Sequence, residues 1–157
     1  KKIQTITNII RSINQVTTAT ITTDIHIGVF KIPSNGQNMI MNDYARRNKI
    51  SIEFVIPEPI MSNELATTLW CHEDYKFSNI IMCSIHQLPK NKKKFDQLIK
   101  KTKDIKFHFA LEGISGKGSI FLKKCFKEIE VFDKAKKIDS SKTNWIKLYK
   151  LFKESYS

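Results

Sequence analysis

Apolar positions along this chain follow two alternating periods, and that alternation predicts the architecture. Ile3, Ile6, Ile9, Ile10 and Ile13 recur every three or four residues, which predicts an amphipathic helix over residues 2–15. The threonine-rich stretch Val16 to Thr23 favours an extended backbone, because β-branched side chains fit a pleated surface. Ile25 to Ile32 reads as the first strand, with Ile25, Ile27 and Val29 on one face and His26, Gly28 and Phe30 on the other. Pro33-Ser34-Asn35-Gly36 is turn chemistry, and a helical stretch follows from Gln37 to Asn48.

The pattern then repeats. A second strand, Ile50 to Ile56, stops at Pro57-Glu58-Pro59, and a helix over Asn63 to Tyr75 has Ser62 or Asn63 as its cap. The third strand, Asn79 to Ile85, is almost continuously apolar, the mark of a strand covered on both faces. After Gln87-Leu88-Pro89, a lysine-rich helix from Asn91 to Thr102 presents Phe95, Leu98 and Ile99 as its buried stripe. A fourth strand, Ile105 to Leu111, ends at Glu112-Gly113, and helices follow over Ser119 to Ala135 and from Ser140 onward. The last helix offers Trp145, Leu148, Tyr149 and Phe152 as its apolar side. Strands alternating with helices imply crossover connections. The predicted fold is therefore α/β: a small, open, mainly parallel four-stranded sheet flanked by helices, resolvase-like or Rossmann-like, with extra N- and C-terminal helices. One domain is expected over residues 1–157, with its core at about 24–135 and a helical tail at 140–157.

Composition changes this picture in three places. No apolar run approaches the roughly 20 residues that cross a bilayer, and Lys1 to Ile13 is not a signal-peptide core, so the expected location is the cytoplasm. Cys71, Cys83 and Cys125 form no C-x-x-C pair and no zinc spacing with His26, His72, His86 or His108, so no metal is expected. Charge is uneven. Residues 1–89 carry eight basic and seven acidic groups, a balance of +1, whereas residues 90–157 carry nineteen and eight, a balance of +11. Such asymmetry marks a surface for nucleic acid or anionic lipid, although 24 lysines against three arginines also fit an A+T-rich coding sequence.

Ligands of an open parallel sheet bind beyond the carboxyl ends of its strands. The predicted strands deliver Ser34, Gln37 and Asn38 there from the first, Glu58 from the second, Ser84 and His86 from the third, and His108 and Glu112 from the fourth. The amides around Gly36 and Gln37 open a helix, a natural anion seat. An imidazole, carboxylates, a hydroxyl and amides on one rim suit a polyol ligand or acid–base work. Glu58, Ser84, His86 and Glu112 are accordingly the catalytic candidates, with Ser34, Gln37, Asn38 and His108 as ligand-binding candidates. His26 and His108 alternate with apolar neighbours and also fit a packing role. Gly113-Ile-Ser-Gly116-Lys117-Gly118-Ser119 fails as a triphosphate loop, because Gly118 separates Lys117 from Ser119. The run Lys90 to Lys94 reads as a solvated helix start. No cofactor is implied.

Two families resemble the chain. The stretches Ile32-Pro33, Gln37-Asn38, Asp43-Tyr44-Ala45 and Arg47 are similar to the sporadic carbohydrate cluster protein family of bacterial surface-polysaccharide loci. The likeness continues through Glu58 and Met61, Ile81-Met82-Cys83-Ser84, Leu88-Pro89 and His108-Phe109-Ala110-Leu111-Glu112, over roughly residues 24–115. It implies a cytoplasmic role in making or modifying a surface glycan, and it adds Arg47 to the ligand-binding candidates. A fainter similarity joins the chain to the catalytic domain of serine recombinases, which use a nucleophilic serine and several arginines. Here Ser34 sits three positions before Gln37, one closer than that pattern expects, and His86-Gln87-Leu88-Pro89-Lys90 replaces the arginine-bearing loop. The resemblance implies the fold without strand cleavage.

Three readings follow. The first is a glycan-biosynthesis component that binds or modifies a sugar or nucleotide-sugar at the strand tips. The second is a catalytically inactive, recombinase-like DNA-binding protein, motivated by the charge of residues 90–157. The third is an interaction module whose terminal helices make a homo-oligomer.

Overall fold

The computed structural model describes residues 16–59, 64–138 and 144–156, and the predicted helix over residues 2–15 lies outside them. Its sheet has five strands in the order β2-β1-β3-β4-β5: β1 (Thr18–Thr22), β2 (Phe54–Pro57), β3 (Asn79–Met82), β4 (Lys106–Phe109) and β5 (Ile114–Lys117). The first four run parallel, and β5 pairs antiparallel with β4. The helices are α1 (Ser34–Arg47), α2 (Ala66–Tyr75), α3 (Lys92–Lys101), α4 (Gly118–Ala135) and α5 (Asn144–Tyr156). This is an α/β architecture with a mainly parallel sheet flanked by helices.

Two expectations about strands are corrected. The first strand is Thr18–Thr22, so the sheet begins before residue 24, whereas Ile25 to Ile32 is a loop holding one isolated bridge between Ile27 and Phe30. Burial decides between the two segments. Every residue of β1 is buried, with Ala19 and Ile21 at 0% exposure, while Val29 and Phe30 face solvent and Gly28 turns the chain at φ +65°. The fifth strand was absent from the sequence pattern. Gly113, at φ +65°, reverses the chain after β4, and an ordinary side chain there would be strained. That reversal lays Ile114–Lys117 back along Lys106–Phe109.

Strand alternation splits the core into two layers. Ala19, Ile21, Ile80, Met82, Phe107 and Phe109 face one side, where Phe95 and Leu98 of α3 and Leu122, Cys125 and Ile129 of α4 cover them. Ile81, Cys83 and Ala110 face the other side, under Met41, Tyr44 and Ala45 of α1. β3 contributes apolar side chains to both layers, as its unbroken apolar run predicts. The helices begin and end close to their expected bounds, because their apolar spacing matches the faces they bury.

Candidate functional site

The strand order reverses between β1 and β3, and the crevice beyond their carboxyl ends is where such sheets hold ligands. In this protein two glutamines fill it. Gln37, from the first turn of α1, is fully buried. Its amide nitrogen donates to the carbonyl oxygens of Thr23 (2.6 Å) and Ile32 (2.7 Å), and its oxygen accepts from Thr23 N (3.0 Å). Gln87, from the short 3-10 turn Ile85–Gln87 after β3, is equally buried. Its amide nitrogen donates to Gln37 Oε1 (3.1 Å) and Thr23 Oγ1 (2.9 Å), and its oxygen accepts from Ser84 N (3.0 Å). An α1 opening and the β1 and β3 ends are thus tied together by side chains that have spent their hydrogen-bonding capacity inside the protein. Sequence reading missed Gln87 and Thr23; a polar residue between Ile85 and Leu88, both buried, was the available signal.

Around this plug the catalytic candidates separate. Glu58 is buried, but its carboxylate turns toward α2 and accepts from Thr68 Oγ1 (2.6 Å), Thr68 N (2.7 Å) and Thr67 N (3.3 Å). The residue preceding α2, Leu65, is left-handed (φ 52°) and makes no side-chain cap, so Glu58 supplies the negative charge at that helix end. Ser84, Glu112 and His86 do stay close. Ser84 Oγ donates to Glu112 Oε1 (2.5 Å), while the backbone N–H groups of Ile85 and His86 reach Glu112 Oε1 (3.3 Å) and Ser84 Oγ (3.2 Å). Ser84 is nevertheless only 1% exposed and caps the 3-10 turn, so no substrate reaches its hydroxyl in this arrangement.

The imidazole of His86 packs against the ring of Phe132 (centroids 4.6 Å apart) and beside Gly28. Burial lowers its pKa, and the nearby carboxylate of Glu112 partly opposes that shift. His86 and Glu112 line a cleft of about 240 Å³ against Phe132, Phe152 and Tyr156 of α4 and α5. On its other side Glu112 borders a cleft of about 580 Å³ with Phe121, Lys124 and Glu128. The buried thiols add no nucleophile: desolvation pushes Cys83 and Cys125 up to about 11.

The remaining binding candidates scatter. Ser34 is exposed at the start of α1, and Asn38 is half-buried one turn on. The Gln37 amide of the expected anion seat donates to Pro33 O (3.0 Å), because the helix begins three residues earlier than expected. Arg47 ends α1 and pairs with Asp43 (2.8 Å) on the surface. His108 is not at the rim. It sits mid-strand in β4 under α1, with Nδ1 3.2 Å from Tyr44 Oη and Nε2 3.3 Å from Asn79 Oδ1. Burial first, and the Lys106 charge second, lower its pKa to about 4. The neutral ring fits both contacts, accepting from Tyr44 and donating to Asn79. His26 faces solvent. Among the described residues no group of His, Cys, Asp and Glu could hold a metal ion, and no helix is long and apolar enough to cross a membrane.

No family model matches the chain, and no curated protein matches it, so the carbohydrate-cluster resemblance has no support from these comparisons. Among solved structures the chain is similar to the N-terminal catalytic domain of TP901-1 integrase, a serine recombinase. Identity is 16%, the match covers 77% of this chain and 98% of that one, and the TM-score is 0.53. That likeness establishes the fold.

Proposed function

We propose that this chain, acting as one α/β unit, is a non-cleaving protein of the serine-recombinase fold that binds nucleic acid through its lysine-rich half. One observation carries the reading: the crevice where this architecture places its chemistry is filled by Gln37 and Gln87, hydrogen-bonded to the backbone and to each other. A nucleophile and arginines are needed there to stabilise a phosphoryl transition state. The β3 turn supplies Ile85, His86 and Gln87 instead.

The charge points the same way. Lys92, Lys93, Lys100, Lys103, Lys123, Lys124 and Lys134 are all exposed, and none of them joins an ion pair among the described residues. Unpaired exposed ammonium groups lose little on meeting phosphates and release counterions when they do. Binding of a labelled DNA duplex over a salt series tests the reading. The expected result is affinity that falls steeply as salt rises, with supercoiled plasmid left intact. Salt-independent or undetectable binding at low salt rejects it, and nicking of the plasmid rejects the non-cleaving part.

A second reading keeps the glycan setting but moves the ligand away from the strand tips. Trp70 is 65% exposed on α2, beside a cleft of about 300 Å³ that Glu64, Glu73 and Gln97 also line. An open indole beside an amide suits the apolar face and hydroxyls of a sugar ring, although Glu64 and Glu73 are already ion-paired there with Lys94 (2.9 Å) and Lys101 (2.8 Å). Nucleotide sugars that raise the melting temperature of the wild type but not of Trp70→Ala are the expected result for this reading. Equal behaviour of the two proteins removes it.

A further inference from the structure

The amino edge of the sheet carries a charge arrangement that the proposed reading has not used. The register of the antiparallel pair sets Lys106 of β4 directly opposite Lys117 of β5. Directly opposed residues share a face, with Cβ atoms about 5 Å apart, and like charges so placed repel. Asn79 is the β3 partner of Lys106, so Asn79, Lys106 and Lys117 form one row across three strands. Lys76 arrives from the end of α2, held left-handed at φ 50° with its N–H on His72 O.

Lys76, Lys106 and Lys117 line one groove of about 600 Å³, together with Ser78, Asn79 and Asp104. None of the three lysines joins an ion pair among the described residues, although Lys90, Lys94 and Lys101 elsewhere all do. Asp104 is the groove's single carboxylate, and it too makes no ion pair. Glu73, nearby on α2, is neutralised by Lys101 (2.8 Å). The groove therefore keeps an excess of positive charge beside donors from Ser78 and Asn79. Folding alone gains nothing from opposing two ammonium groups on one rung, whereas a bound dianion turns that repulsion into attraction.

We infer that the groove formed by Lys76, Lys106 and Lys117 at the amino edge of the sheet binds a phosphate group. The nucleic-acid reading supplies one source, a backbone phosphate; a free phosphate or pyrophosphate is the other. The test compares two charge-matched double variants of the whole chain, Lys106→Gln/Lys117→Gln in the groove and Lys31→Gln/Lys49→Gln, exposed and outside both the groove and the lysine-rich half. If duplex phosphate is the ligand, the groove variant lowers the slope of log affinity against log salt by about 2, because each lost contact removes about 0.9. The control variant then lowers it by much less. Equal losses in both variants overturn the inference and leave the nucleic-acid reading standing.

Absence of duplex binding by the wild type rejects that reading, and a pyrophosphate titration followed by NMR then decides the site. Saturable shifts at the Asn79 side-chain amide and the His108 ring, lost in the groove variant, support a small-phosphate site. No shift at either residue overturns it. His108 gives a readout that charge loss at a distance would not move. A bound anion offsets the Lys106 charge and raises the pKa of the imidazole, so its titration shifts upward on binding.

Discussion

The two ends of the sheet differ in what their polar groups are occupied with. At the carboxyl rim Gln37, Gln87, Ser84 and Glu58 all look functional by type, yet each is buried and already engaged by backbone or neighbouring side chains. At the amino edge Lys106 and Lys117 are exposed, opposed to each other and in no ion pair among the described residues. Residue type alone favours the first end. Unspent hydrogen-bonding and charge favour the second, because only a group with capacity left over gains by meeting a ligand.

Removing the plug should have the largest effect. Gln37→Leu strands the N–H and C=O of Thr23 and the carbonyl of Ile32, removes one acceptor of the Gln87 amide, and should cost about 4 kcal/mol in a urea unfolding experiment. A loss below about 1 kcal/mol would mean that water readily replaces the side chain. The crevice would then be a usable pocket, and the contrast between the two ends would fail.

Acid should come next. His108 is held near pKa 4 when folded and returns to its ordinary 6.5 when unfolded, so above pH 6.5 both states are neutral and stability is full. As pH falls from about 6.5 toward 4 the unfolded chain takes up the proton first, and stability should drop by an amount on the order of 3 kcal/mol. Below 4 both states are protonated and this loss stops growing. His108→Asn should flatten that segment of a stability–pH curve. An unchanged curve would show that His108 does not titrate as its buried position requires.

Glu58→Ala should cost about 2 kcal/mol, since it uncaps α2 and leaves Thr68 N and Oγ1 without their buried acceptor. If the chain proves to have an activity, this variant sharpens the comparison: activity should fall only in step with the folded fraction. A loss of turnover in fully folded protein would restore Glu58 to the catalytic candidates. The smallest effect should be at the other end and of opposite sign. Lys117→Gln relieves the repulsion from Lys106 and should stabilise the protein by about 0.5 kcal/mol at low salt, fading as salt rises. Destabilisation on thermal unfolding would show that the two lysines do not repel.

Much of the fold was legible because its elements announce themselves locally. The unbroken apolar run of β3 and the Phe95–Leu98 stripe of α3 fell where their patterns put them. The first strand was misplaced because two adjacent stretches, Val16 to Thr23 and Ile25 to Ile32, both carry β-forming residues, and only packing chose between them. Ile114–Lys117 escaped notice because its apolar content is low. Its pairing depends on β4 and on the Gly113 reversal, and Glu112-Gly113 reads in the sequence only as the end of the fourth strand. Of the candidate site, the adjacency of Ser84, His86 and Glu112 was readable from strand ends. Their burial was not.

The sequence by itself determined where the helices α1 to α4 and the strands β2, β3 and β4 fall, that the strands would run mainly parallel, and that positive charge would gather after residue 89. Periodicity and composition are local properties, so a single chain displays them. Only the tertiary structure decided which polar groups are spent and which remain. Gln37 meets Gln87 across 50 residues, Glu58 finds Thr68 rather than Ser84, and Lys106 faces Lys117 through one strand register. Hydrogen-bond satisfaction and cross-strand repulsion are properties of pairs, and folding chooses the partners.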